Sequence, residues 1–318
     1  MKIGFIDLFC GAGGFSRGFF EAGLEPLLGI DIDEACTYSY KENFKGAIVL
    51  NEDIRNIHAM DIIYLVGRPR IVIASPPCEA YTGISQRLME DPIDRLYTDP
   101  IGRLTLEAIR LIGDLHPEIF IIENVPGIKN PVIVDNIRRE FKRYGYEKVY
   151  FNILDAEKFG VPSIRRRIFI SNVPIAPKKV KGRMSVWEAI KDLPDPRYPS
   201  KIPNHDYVPI PPRFERRAPR IKWDEGLEFF MGGDRKIYKQ YVRLNPNKPA
   251  PTIMGRSRFL HPFENRLISV REQARLMSYP DNHLFHGGRE QQYNQVGESV
   301  PPKLAYAIAK YIIENFLL

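Results

Sequence analysis

Residues 3–14 read IGFIDLFCGAGG and join an apolar segment to a glycine-rich turn. The composition of residues 3–8 predicts a buried strand, and a helix is predicted from the glycines to Phe20. Gly11 and Gly13 allow the backbone to approach a ligand closely, and the following helix presents free N–H groups. The unit is typical of a nucleotide-cofactor site. A tight structural turn would give the same pattern, and spacing alone does not separate NAD from S-adenosylmethionine.

Short apolar segments and helical segments continue to alternate beyond this unit. Such alternation predicts a Rossmann-like α/β fold, with a mixed, mostly parallel sheet and helices on both faces. Ligands of these sheets bind at the carboxyl ends of the strands. Further strands are predicted at residues 27–30, 47–50, 71–74, 119–122, 149–154 and 168–171, and helices at 34–43, 104–115, 269–278 and 302–316.

The composition of the 318 residues is that of a folded globular protein, with 44% hydrophobic and 27% charged residues. A net charge of +7 suits a polyanionic partner, although a solvated basic surface gives the same balance. No apolar run reaches the roughly 20 residues of a membrane span, and the N-terminus lacks a secretory signal. We expect a cytoplasmic protein without a membrane partner, associated with the nucleoid in a prokaryote. The three cysteines share no C-x-x-C spacing, so no disulfide framework and no metal site are expected.

The amino-acid composition of the chain changes near residue 173. The following stretch is rich in proline and basic residues, and its periodicity is weak. We predict a catalytic and cofactor-binding domain at 1–172, completed by 293–318, an irregular target-recognition domain at 173–264, and a hinge with a connecting helix at 265–292. Two basic clusters interleaved with aromatic residues lie in the middle region: Arg213, Arg216, Arg217, Arg220 and Lys222, then Arg235, Lys236, Lys239 and Arg243.

The sequence Ser75-Pro-Pro-Cys78 follows a predicted strand, so its thiol is expected at the carboxyl edge of the sheet. Two prolines restrict the turn and fix the direction of the thiol. A cysteine is nucleophilic when neighbouring groups lower its pKa. The opposing interpretation is a buried, inert cysteine. Amino-group methyltransferases have a similar turn, but it ends in an aromatic residue, whereas the turn of this chain ends in Cys78.

Several acidic and basic residues follow other predicted strands. Asp31 is placed to bind ribose hydroxyls, and Asp53 could accept from an adenine amino group. Glu123 could donate a proton if burial raises its pKa, although a loop carboxylate is the plainer interpretation. Arg165 to Arg167 precede a strand, a position that usually faces solvent.

Together these segments resemble the cytosine-C5 methyltransferase family, in order along nearly the whole chain. The sequence Asp7-Leu-Phe-x-Gly-x-Gly-Gly14 is similar to its first motif, and Pro76-Pro-Cys78 to its nucleophile motif. The remaining matches are Asp31 with residues 40–44, Asp53, and segments 123–125, 160–167, 266–276 and 295–300.

The resemblance implies S-adenosylmethionine as cofactor, S-adenosylhomocysteine as product, and no metal. It implies that Phe9 stacks on the adenine, that Asp31 binds the ribose, and that Asp53 binds the adenine amino group. The other cofactor-binding residues that it implies are Gly11, Gly13, Gly14, Ile32, Ile54, Pro77, Glu298 and Ser299.

The resemblance also implies a substrate, double-stranded DNA, and a mechanism. Cys78 would add to C6 of a flipped-out cytosine, Glu123 would bind N3 and the exocyclic amine, and Arg167 would bind O2. Arg165 belongs to the same catalytic set. The residues expected to contact DNA are Glu79, Ser85, Arg87, Arg213, Arg216, Arg217, Arg235, Lys236, Arg256 and Arg258.

Three positions depart from the family pattern. Glu79 stands where glutamine is usual, Glu298 replaces an asparagine of the last motif, and Ser163 replaces a common glutamine. None of the three removes a reacting group, so an active enzyme is expected.

Other interpretations of the chain remain open at this point. A tRNA cytosine-C5 methyltransferase shares the fold, but its typical Cys-Phe-Thr segment is absent from the sequence. A catalytically silent DNA-binding protein would not need Cys78, Glu123 and Arg167, and a dehydrogenase would need neither Cys78 nor Glu123. We expect a monomer, with a cognate restriction endonuclease as a separate partner.

Overall fold

The computed structural model describes residues 3–85 and 89–317, and the main sheet within them has seven strands. In spatial order the strands run β3-β2-β1-β4-β5-β7-β6. Their bounds are β1 (Gly4–Leu8), β2 (Glu25–Asp31), β3 (Ile48–Asn51), β4 (Ile71–Ala74), β5 (Ile119–Asn124), β6 (Tyr150–Asp155) and β7 (Arg166–Ser171).

Strands β1 to β5 pair in parallel, whereas β7 pairs antiparallel with both β5 and β6. The sheet is therefore mixed and mostly parallel, and the predicted fold class is confirmed. Reversal of β7 matters for function, because the start of β7 lies at the same edge of the sheet as the end of β5. The register places Asn124 opposite Ile168, and Glu123 opposite Phe169.

The strands at the centre of the sheet are buried on both faces. In β4, Ile71 and Ile73 point to one core cluster, whereas Val72 and Ala74 point to the other. Such alternation follows from the two-residue period of a strand, and burial of both faces explains the continuous apolar sequence. The cluster of Val72 and Ala74 contains residues of α3 (Ala59–Val66), α5 (Leu104–Leu115) and α6 (Pro131–Arg143), and the cluster of Ile71 and Ile73 contains residues of α1 (Gly14–Glu21) and α10 (Pro302–Ile312).

The remaining helices are short and several have N-terminal caps. Asp33 caps α2 (Glu34–Asn43) by accepting from the backbone N–H of Cys36. The others are α4 (Pro92–Tyr97), α7 (Val186–Ile190), α8 (Val270–Leu276) and α9 (Arg289–Glu298). No helix of the described chain is long and apolar enough to cross a membrane.

The region predicted to be irregular also contains a small second sheet, which the sequence analysis did not predict. Strands β8 (Gly226–Met231) and β9 (Ile237–Arg243) form an antiparallel hairpin, and β10 (Phe259–Leu260) pairs in parallel with β9. Weak periodicity hid the hairpin, because side chains on both of its faces are exposed towards the tip.

Several predicted bounds also change. The predicted strand 27–30 extends to Glu25–Asp31 as β2, and 168–171 extends to Arg166–Ser171 as β7. The predicted C-terminal helix ends at Ile312 and continues as a π-helical segment, Ile313–Leu317. Sequence analysis did not predict α3, α4, α6, α7 or α9.

Candidate active site

The glycine turn after β1 has the backbone that the sequence predicted. Gly11 and Gly13 have φ angles of 52° and 87°, in the left-handed region that favours glycine. A Cβ on Gly13 would lie 2.4 Å from the ring of Phe44, whereas one on Gly11 would meet no atom within 4 Å. Phe9 has a φ of 64° and is half-buried at the start of the turn. The turn therefore leaves open space above Gly11.

Asp31 ends β2 and faces this turn. Its carboxylate accepts hydrogen bonds from the backbone N–H of Gly11 at 2.8 Å and of Asp33 at 3.0 Å. Burial raises the pKa of Asp31, and these two hydrogen bonds act in the opposite direction. The neighbouring Ile32 is 67% exposed, so an apolar side chain and a carboxylate lie together beside the open turn.

Asp53 and Ile54 follow β3. The carboxylate of Asp53 forms an ion pair with Arg55 at 2.5 Å, and hydrogen bonds from Arg55 hold the pKa of Asp53 below its ordinary value. The side chain of Ile54 is buried in the core. Of these two predicted cofactor-binding residues, Asp53 is the one with side-chain atoms at the surface.

The nucleophile turn leaves β4 at the same edge of the sheet. The backbone N–H of Ser75 donates to Leu8 O at 3.1 Å, which fixes the turn beside β1. Asn124 donates from Nδ2 to Pro76 O at 3.4 Å and accepts from its neighbour Val125. Sequence analysis gave Asn124 no role, although its place beside Glu123 was the available signal.

Glu123 and Arg167 form a buried ion pair next to Cys78. The Oε1 atom of Glu123 lies 3.0 Å from Nε of Arg167, and both side chains are largely buried. Antiparallel pairing of β7 with β5 brings the two together, since Arg167 enters β7 where Glu123 leaves β5. Arg167 therefore does not face solvent at the strand start, whereas its neighbour Arg166 does.

Burial and charge shape the ionisation of these groups. Burial raises the pKa of Glu123, and the charge of Arg167 opposes that effect. Burial also raises the pKa of the Cys78 thiol. The positive charge of Arg167 acts to lower this pKa, and the negative charge of Glu123 acts to raise it further. Since both arginine and carboxylate act on Cys78, the three side chains share one electrostatic environment.

Arg165 occupies a different environment from Arg167. Its guanidinium donates to Ile253 O at 2.7 Å, Gly297 O at 3.0 Å and Ser299 O at 2.7 Å, and the residue is 2% exposed. Burial lowers the pKa of Arg165 to about 9. All three acceptors are backbone carbonyls from distant parts of the chain, so Arg165 holds separate segments together.

The departures from the family pattern occupy distinct places. Ser163 is fully buried, and its hydroxyl contacts the sulfur of Met277 at 3.9 Å. Burial raises the pKa of Glu298, and the charges of Glu79 and Asp31 raise it further. The negative charges of Glu79 and Glu298 therefore repel each other. Pro77 lies within the nucleophile turn, and Ser299 donates to Val296 O at 2.9 Å.

The predicted DNA contacts divide by exposure. Arg235 and Lys236 lie at the tip of the β8–β9 hairpin, and Ser85 is half-buried in the segment that follows the nucleophile turn. Arg213 pairs with Glu228 at 3.3 Å. The exposed residues of the predicted set are Glu79, Arg213, Arg216, Arg217, Arg235, Lys236 and Arg256, and Arg87 lies outside the described residues.

Two arginines of this region point inward. Arg258 is 7% exposed, donates to Gly255 O and Ser257 O, and forms an ion pair with Glu290. This placement does not favour the predicted contact of Arg258 with DNA. Arg243 is also buried, and its guanidinium binds three backbone carbonyls and Asn265. It stabilises the second sheet and is not part of a basic surface.

Known proteins resemble this chain along almost its whole length. The chain is 44% identical to a candidate type II methyltransferase of Methanocaldococcus jannaschii, with 99% of each chain covered. It is 32% identical to a type II methyltransferase of Desulfomicrobium norvegicum, over 96% of this chain and 88% of the relative. A crystal structure of a candidate DNA modification methyltransferase from an E. coli prophage has the same fold, with a TM-score of 0.79, 24% identity and full coverage of both chains.

The family comparison covers almost the whole chain. The model of the C-5 cytosine-specific DNA methylase family matches residues 3–314, which include the glycine turn, the nucleophile turn and the Glu123–Arg167 pair. Membership implies S-adenosylmethionine as methyl donor and DNA as substrate. The chain belongs to the C-5 cytosine-specific DNA methylase family and is a DNA cytosine-5 methyltransferase.

Proposed function

We propose that Cys78 is the nucleophile of the methyl transfer and that Glu123 and Arg167 bind the target cytosine. The observation that carries this proposal is the buried Glu123–Arg167 pair, 3.0 Å between charged atoms, acting on the thiol of Cys78. A carboxyl whose pKa is raised by burial can share a proton with a ring nitrogen. A guanidinium beside it supplies donors for a carbonyl oxygen.

The cofactor site fits S-adenosylmethionine. Open space lies above Gly11, and the Asp31 carboxylate retains lone pairs for ribose hydroxyls. Phe9 in the turn and the exposed Ile32, which follows Asp31, offer apolar side chains for the adenine. When bound, the cofactor supplies an electrophilic methyl group, and S-adenosylhomocysteine is the product. Asp53 is assigned to the adenine amino group and would exchange part of its bond with Arg55 for that contact.

The residues of the chain act on the base in sequence. The Cys78 thiolate forms a bond to C6 of the flipped cytosine, and the displaced electron pair moves through C5 and C4 to N3, where Glu123 shares its proton. Arg167 stabilises charge at O2. C5 then takes the methyl group, a base removes the C5 proton, and the C6–Sγ bond breaks to release Cys78 and 5-methylcytosine.

We assign Arg165 to positioning and not to contact with the base, because its Nη1 and Nη2 atoms donate to backbone carbonyls. Residues 1–172 with 293–318 are assigned to catalysis, 173–264 to target recognition, and 265–292 to the connection between them. Exposed arginines and lysines of the recognition region suit the phosphates of duplex DNA.

A role in restriction-modification follows from the relatives that are named type II methyltransferases. We propose that the protein modifies one specific sequence as a monomer, while a cognate endonuclease acts separately. One asymmetric target base needs only one active site, which supports the monomer.

The test is covalent trapping on a mixed-sequence duplex pool containing 5-fluorocytosine, with S-adenosylmethionine present. Fluorine cannot leave C5 as a proton does, so the enzyme and DNA remain joined through Cys78. We expect an adduct with the wild-type enzyme and with Cys36→Ser, a control that removes a cysteine from α2. Cys78→Ser should form none while still binding cofactor.

Each other outcome has a defined meaning. An adduct with Cys78→Ser would disprove the assignment of the nucleophile. Trapping on matched tRNA but not on DNA would retain the chemistry and contradict the substrate. An intact wild-type enzyme that traps neither would support the catalytically silent DNA-binding protein.

A further inference from the structure

The tip of the β8–β9 hairpin is a defined turn. Met231 pairs with Ile237, and residues 232–236 connect them. The carboxylate of Asp234 accepts from the backbone N–H of Lys236 at 3.1 Å and from the hydroxyl of Tyr238 at 3.0 Å. These two bonds tie the turn to the strand that follows it, so a displacement of the hairpin would carry Asp234 with it.

The segment after the nucleophile is anchored at Tyr81. Its backbone N–H donates to Cys78 O at 2.9 Å, and its buried hydroxyl donates to Gly102 O at 2.9 Å. Gly127 packs so closely that a Cβ there would lie 1.9 Å from Tyr81 O. Tyr81 therefore fixes one end of a short segment, and Gly83 lies two residues beyond it.

Gly83 and Asp234 are in direct contact. The backbone N–H of Asp234 donates to Gly83 O at 2.8 Å. A Cβ on Gly83 would lie 2.8 Å from Oδ2 of Asp234 and 3.0 Å from its Cβ and Cγ. The φ of Gly83 is not in the left-handed region, so the absence of a side chain serves this close approach.

We infer that the Gly83–Asp234 contact is a positioning device that joins the hairpin to the nucleophile segment, so that DNA bound by the hairpin sets the place of Cys78. The inference rests on the proposed function, because it takes the hairpin as part of the recognition region. Exposed Phe229 and Ile237 flank the basic tip, a combination that suits the edges and backbone of a duplex.

The contact couples DNA recognition by the hairpin to methyl transfer at Cys78. When the hairpin is bound at its target sequence, its contact with Gly83 fixes the position of Gly83. Gly83 in turn restricts the segment that leads back through Tyr81 to Cys78. A displacement of about 1 Å at a reacting group can reduce a rate about 100-fold. A mismatch under the hairpin would therefore slow methyl transfer as well as weaken DNA binding.

The test measures single-turnover methyl transfer on an unmethylated duplex pool, with cofactor affinity measured in parallel by calorimetry. Gly83→Ala should lower the rate about 10-fold or more and leave cofactor affinity within about 2-fold. The double variant Gly83→Ala/Asp234→Gly removes the atoms that the new methyl group meets, and should recover most of the lost rate. Gly46→Ala is the matched control, because a Cβ on Gly46 meets no atom within 4 Å.

The inference is overturned if Gly83→Ala retains the wild-type rate, or if the double variant is no faster than Gly83→Ala alone. The second result would place the damage within the nucleophile segment and not at the hairpin. Trapping of wild-type enzyme on fluorinated DNA separates this inference from the proposed function. If the wild-type enzyme is trapped but the double variant does not recover the rate lost in Gly83→Ala, only the inference is wrong. Failure of wild-type trapping rejects the proposed function itself.

Discussion

Replacement of Arg165 by methionine tests whether this arginine positions the site or acts on the base. The substitution keeps a long side chain but leaves Ile253 O, Gly297 O and Ser299 O without their donor. An unsatisfied buried acceptor costs about 1–3 kcal/mol, so the three together set a range of about 3–9 kcal/mol. Removal of a desolvated charge offsets part of this cost, and we expect a net loss of about 3 kcal/mol in the free energy of unfolding.

Urea denaturation of Arg165→Met against the wild type measures this loss. The neighbouring Arg166→Met is the control, since the side chain of Arg166 is 63% exposed and pairs with Asp155. An exposed pair contributes about 1 kcal/mol or less, so the control should remain close to the wild type. If Arg165→Met keeps the wild-type stability but loses methyl transfer, the positioning role is refuted and a direct catalytic role is favoured.

Two further predictions concern the cofactor site and acid stability. Asp31→Ala should raise the dissociation constant for S-adenosylmethionine about 10- to 100-fold by calorimetry, because charge-assisted hydrogen bonds to ribose are lost. Exposed Glu34→Ala should leave that constant unchanged, and equal affinities for both variants would contradict the ribose role. Burial lowers the pKa of His261 to about 4, and its Nδ1 accepts from two backbone N–H groups. The pKa of histidine in the unfolded state is near 6.5, so the unfolded state binds a proton at a higher pH than the folded state does. As the pH falls from 6.5 to 4, the free energy of unfolding of the wild type should therefore fall on the order of 2 kcal/mol relative to that of His261→Asn. A constant difference across that range, measured by urea denaturation, would contradict a neutral buried His261.

The active-site motifs could be predicted from the sequence because their chemistry is local. A glycine turn requires positive φ at Gly11 and Gly13, and both are found there. Cys78 follows β4 and Glu123 lies near the end of β5, and these parallel strands end at one edge of the sheet. The local sequence thus indicated the edge at which these groups meet.

The partners of the arginines could not be predicted in this way. Arg165 and Arg167 are two residues apart, yet one binds distant carbonyls and the other pairs with Glu123. Arg243 and Arg258 have the same side chain as the exposed arginines around them, but both are buried. Such differences depend on which segments fold back over each residue, which no local pattern records.

The sequence by itself therefore determined the family, the fold class and the identity of the candidate reacting groups, because strand composition, turn chemistry and motif order are properties of neighbouring residues. Only the tertiary structure decided that β7 runs antiparallel and delivers Arg167 to Glu123, that Arg165 joins three segments, and that Gly83 touches Asp234. These contacts join residues 44 to 151 positions apart in the chain, and packing of the whole core sets them.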